Sequence, residues 1–115
     1  MILDILQKFP ELIQSYEIQK FRMLGNAYEI VLHIQLVRGT TLHVRDYLFI
    51  DGSRKYSFHW QDTHNQCKRR WDNAPHHQIT STFPFHQHVG KEERVEDSEV
   101  MSLEKVLEYI KQHSD

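Results

Sequence analysis

The chain predicts an α+β fold: an antiparallel meander of about five strands, with an N-terminal and a C-terminal helix packed on one face of the sheet. Three observations carry this. Apolar residues recur at helical spacing near both ends, apolar and polar residues alternate with a period of two between them, and turn-forming pairs such as Gly25-Asn26 and Asp51-Gly52 punctuate the alternating stretches.

Ile2, Ile5, Leu6, Phe9, Ile13 and Tyr16 share one helical face, so the spacing predicts an opening amphipathic helix, bent or divided at Pro10. A strand over Glu17 to Leu24 follows. Ile30, Leu32, Ile34 and Leu36 alternate with Glu29, Val31, His33 and Gln35, the pattern of a half-buried strand. After Arg38-Gly39-Thr40 comes a strand over Thr41 to Ile50, with Leu42, Val44, Leu48 and Ile50 read as inward and His43, Arg45, Tyr47 and Phe49 as outward. Asp51-Gly52 is a strong hairpin signal and folds Ser53 to Gln61 back on that strand. A further strand is expected over Gln66 to Trp71. Residues 74 to 100 lack a clear period and read as one long connection. Leu103, Val106, Leu107 and Ile110, behind Ser102 as N-cap, predict the closing helix.

The chain has 115 residues, 39% of them apolar and 26% charged, which fits a single domain over 1-115. Cys67 is the sole cysteine, so no intramolecular disulfide forms, and a cytoplasmic home is expected. The apolar runs fall short of the roughly 18 to 20 residues that span a bilayer, and the N-terminus lacks the basic start of a signal peptide. No membrane role is expected. Within the net charge of −2, residues 38–70 carry seven basic against three acidic side chains, and residues 91–108 reverse this with seven acidic against three basic. A basic body with interleaved aromatic and histidine residues suits nucleic acid.

Four of the nine histidines lie between positions 76 and 88, in Arg70-Trp71-Asp72-Asn73-Ala74-Pro75-His76-His77 and Thr82-Phe83-Pro84-Phe85-His86-Gln87-His88. Histidine both gives and takes protons near neutrality and also ligates metals. The candidate site residues are therefore His76, His77, His86 and His88 with Arg45, Arg70, His59 and Asp72. The period of two sends His43, Arg45, Lys55 and His59 to the face opposite the core, with the histidine loop folded over it and Phe83 and Phe85 as its apolar anchors.

These residues permit three readings. The first is a metal-independent endoribonuclease, in which two histidines act as base and acid and an arginine fork holds the phosphate. The second is a metal-dependent hydrolase or nuclease built on His86-x-His88 with His76, His77 or Asp72. The third is a non-catalytic module that captures nucleic acid or a protein. The first is preferred, with RNA as substrate and no cofactor, because the histidines outnumber the acidic ligands.

The Arg70 to His77 string, followed by Phe83-Pro84-Phe85-His86-Gln87-His88, resembles the TumE family of bacterial toxin–antitoxin components. Arg45-Asp46-Tyr47 on a mid-chain strand, the Tyr56 to Trp60 strand and the closing helix extend the resemblance over most of the chain. Phe85 and Gln87 stand where the family pattern often has His and Lys. The resemblance implies a toxin neutralised by a small antitoxin encoded beside it, commonly a helix-turn-helix DNA-binding protein. A homodimer is compatible with everything above.

Overall fold

Pro10 has no N–H to continue a helical ladder, and in the computed structural model, which describes residues 2–76 and 80–114, helix α1 stops at Ile2–Gln7. The expected continuation to Tyr16 is wrong. Turn hydrogen bonds from Leu12 and Ile13 N–H to the Phe9 carbonyl, at 3.1 and 3.0 Å, redirect the backbone, and Ile13–Leu24 forms the long strand β1. The chain then runs through β2 (Ala27–Leu36), a single 3-10 turn at Val37–Gly39, β3 (Thr41–Leu48), β4 (Arg54–Gln61), β5 (Cys67–Asp72), β6 (His86–Val89), β7 (Arg94–Asp97) and α2 (Leu103–His113).

Among the described residues, seven strands form one antiparallel sheet in sequential order. The class is the one expected, but the sheet has two strands more than the sequence suggests. Both lie in the stretch read as a connection, where β6 and β7, of four residues each, form a hairpin against β5. The Asp51-Gly52 turn is as expected: Asp51 Oδ1 accepts from Ser53 N at 2.9 Å and Gly52 takes φ +87°, open to glycine without strain.

One face of the sheet is covered. Leu32 and Ile34 of β2, Leu42 and Val44 of β3, Phe58 and Trp60 of β4 and Trp71 of β5 pack with Ile2 and Leu6 of α1 and Val106, Leu107 and Ile110 of α2. Ser102 caps α2 by accepting from Lys105 N at 3.2 Å. One inward assignment on β3 changes and one residue joins that face. Ile50 lies beyond the strand and is 81% exposed, while Asp46 is buried beside Leu42 and Val44. Its carboxylate pairs with Arg54 rather than with neighbouring Arg45, through bonds of 2.9 Å to Nε and Nη2. Phe85 packs on the core and stacks on Tyr56, whereas Phe83, expected to anchor alongside it, is largely exposed.

Candidate functional site

The helices leave the other face open, and the ladder register aligns its side chains in rows. His33 of β2 lies opposite His43 of β3, His43 opposite His59 of β4, His59 opposite Arg70 of β5 and Arg70 opposite His88 of β6. The next row holds Arg45, Ser57, Asp72 and His86. Since directly opposed residues share a face, imidazole, guanidinium and carboxylate groups form a continuous polar surface.

Asp72, buried at the end of β5, is the centre of its densest part. Its Oδ1 lies 2.8 Å from His86 Nε2 and accepts from Ala74 N at 3.0 Å, and its Oδ2 lies 3.4 Å from both His88 Nε2 and Arg70 Nε. His86 Nδ1 donates to the Pro84 carbonyl at 2.9 Å, which fixes the ring so that Nε2 faces the carboxylate. Arg70 Nη1 reaches Glu93 Oε1 at 2.9 Å. Glu93 itself has φ +53°, a left-handed conformation uncommon for a non-glycine residue, with its N–H bonded to the Gly90 carbonyl at 2.9 Å in the turn.

Toward β3 the site opens. His59 and His43 are half-buried, with ring centroids 6.4 Å apart, and His33 is exposed with its ring edge-on to His43 at 4.2 Å. Gln61 Oε1 accepts from His43 Nε2 at 2.9 Å, which leaves His43 Nδ1 as the basic nitrogen. Burial pushes His43 below the ordinary imidazole pKa, reinforced by His33 and opposed by the Gln61 bond. Burial does the same at His59, with the charges of Arg70 and His43 adding to it. His88 is lowered too, chiefly by burial and then by Arg70, against the pull of Asp72.

Asp72, His86, His88 and Arg70 thus meet directly, and His59 joins through Arg70. Arg45 shares the face but is exposed and lies two strands from Asp72. His76 sits exposed in the turn after Pro75, and His77 falls outside the described residues. Asn73 has a structural part: its side chain donates to the Arg54 carbonyl at 2.7 Å and accepts from Tyr56 N at 2.9 Å, extending the β4–β5 pairing. Gln87 and Phe85 are also structural. Gln87 bonds Arg69 and the Asp97 carbonyl, and both residues point away from the histidine row. Glu93 is the site residue that the motifs did not single out, since its contribution depends on the β6–β7 turn.

Fold and site together define a small α+β protein whose sheet is backed by helices on one face and carries an aligned histidine–arginine row on the other. Within that class the chain belongs to the TumE toxin family, since the family model described as toxin TumE matches residues 2–114. A toxin of this kind implies an antitoxin partner. No curated protein and no solved structure matches the chain. Among the described residues, no helix is long and apolar enough to cross a membrane.

Proposed function

We propose that this toxin acts in bacteria as a metal-independent endoribonuclease whose active face is the histidine row, with a helix-turn-helix antitoxin as its antidote. The observation that carries the reading is the juxtaposition of His43, His59 and Arg70 on three neighbouring strands. Cleavage needs a base for the 2′-OH proton, a cation for the charged phosphorane and an acid for the leaving 5′ oxygen. His59, kept neutral by burial and by Arg70, suits the base. Arg70 suits the phosphate, and its two carboxylate neighbours orient the fork. His43, whose ring centroid lies 6.4 Å from that of His59, suits the acid in its protonated form, in which Nδ1 carries the proton for the departing oxygen while Nε2 stays bonded to Gln61. The O2′ attack then expels the 5′ oxygen and leaves a 2′,3′-cyclic phosphate and a 5′-hydroxyl.

In this scheme His86 and His88 are positioning residues. Their rings are buried and already engaged by Asp72, and His86 also by the Pro84 carbonyl, so they brace Arg70 rather than touch RNA.

One observation favours a second, metal-dependent reading. The ligand atoms of Asp72, His86 and His88 all lie within 4.8 Å of one another, and His86 is oriented by a main-chain hydrogen bond, a common outer shell for metal-binding imidazoles. These residues fit a divalent cation, which would supply Lewis-acid stabilisation of the phosphate. Incubating purified protein with total RNA in chelator separates the two. Cyclic-phosphate ends formed in chelator support the first reading, while loss of cleavage with rescue by a divalent ion supports the second.

A further inference from the structure

The two edges of the sheet are built differently. β7 has four residues and carries Arg94, Glu96 and Asp97, a short charged edge of the kind that resists pairing. β1 has twelve residues and lies outermost at the other end. On the helix side its Tyr16, Ile18, Phe21 and Met23 are 46%, 38%, 41% and 51% exposed, although Ile34, Leu32 and Ile30, opposite the first three of them on β2, are buried. The helical cover therefore ends at β2, and the apolar face continues without it.

The pattern along β1 is self-complementary. A bulge between Ile18 and Lys20 shifts the alternation by one, so that Tyr16, Ile18, Phe21 and Met23 share the helix side while Glu17, Lys20 and Arg22 share the open side. Turned about the midpoint between Gln19 and Lys20, an antiparallel second copy sets Ile18 against Phe21 and Tyr16 against Met23 on one side, and Glu17 against Arg22 on the other. Each of these four apolar residues meets another of them, and both copies of the Glu17–Arg22 pair have opposite sign. Arg22 is well placed for this, since its side chain is 73% exposed and its contact with Glu29 is long, at 3.8 Å.

We infer that β1 is the contact surface for a second copy of this chain, joining the two sheets edge to edge about a two-fold axis. Such an interface is isologous, each side using the same residues. It leaves the Asp72 cluster free, because β5 and β6 lie toward the opposite end of the sheet.

Sedimentation velocity on the full chain over a micromolar concentration range tests this. The wild type dimerises. Glu17→Arg and Arg22→Glu, both exposed changes verified by circular dichroism to leave the fold intact, each weaken the dimer by about tenfold or more through paired like charges. An equimolar mixture of the two variants restores association, because each copy then presents the sign that the other lacks. A wild type that stays monomeric overturns the inference, including the case in which β1 amides gain exchange protection only with antitoxin bound. A dimer indifferent to both charge changes overturns it as well.

Discussion

Phe58 and His59 are neighbours in β4, yet one is fully buried under the helices and the other opens onto a row of histidines. The same division runs through Leu32 and His33, Leu42 and His43, and Trp71 and Arg70. One face of each strand holds the fold together, and the other is available for chemistry. Substitutions one residue apart should consequently fail in different ways.

The largest effect belongs to the helix-covered face. Phe58→Ala removes a fully buried ring from the centre of the core, and should cost about 3 to 5 kcal/mol by urea unfolding, a large part of the stability of a domain this size. His59→Ala should leave the unfolding free energy within about 0.5 kcal/mol of wild type while slowing RNA cleavage by about 10² to 10⁴. If His59→Ala unfolds the protein instead, the two faces are not independent. Arg70→Ala should slow cleavage by about 10² to 10³, and Arg45→Ala by much less, since Arg45 is exposed and away from the Asp72 cluster. Equal losses for the two arginines in a cleavage assay would show that phosphate is held diffusely by the basic face.

The smallest effect is a pH dependence. His43, His59 and His88 all have folded pKa values pulled below their unfolded value of about 6.5, chiefly by burial. Between the folded and unfolded values the unfolded chain binds more protons, so stability is full above about 6.5 and falls as pH drops through that window. Urea midpoints at pH 7.5 and 5.5 measure it. In variants lacking all three imidazoles this part of the slope should disappear.

The core face was legible because its apolar residues repeat with the period of the strand over eight residues or more, as in β2 to β4. β1 was not. Its bulges at Ile13/Ser15 and Ile18/Lys20 break the alternation, while Ile13 and Tyr16 happen to continue the helical spacing of α1. β6 and β7 are too short to show any period, and their pairing depends on β5 and on the turn at Gly90 to Glu93.

The histidine row was closer to the surface of the sequence than its residues suggest one by one. His43 and His59 are each eight positions from Asp51, and His33 and His43 each five from Arg38, so tight turns centred there align them. What sequence could not supply was the convergence on Asp72. That needs β6 placed on β5 and the Pro84 carbonyl within reach of His86.

The central claim is that RNA meets the open face. A short oligonucleotide with 2′-O-methyl groups cannot be cut by 2′-OH attack, so its binding can be followed at equilibrium through imidazole and indole resonances. The account predicts that the ring signals of His43 and His59 shift on titration while the Trp60 indole on the helix-covered face stays unchanged. Binding that moves Trp60 and leaves both histidines still would contradict it.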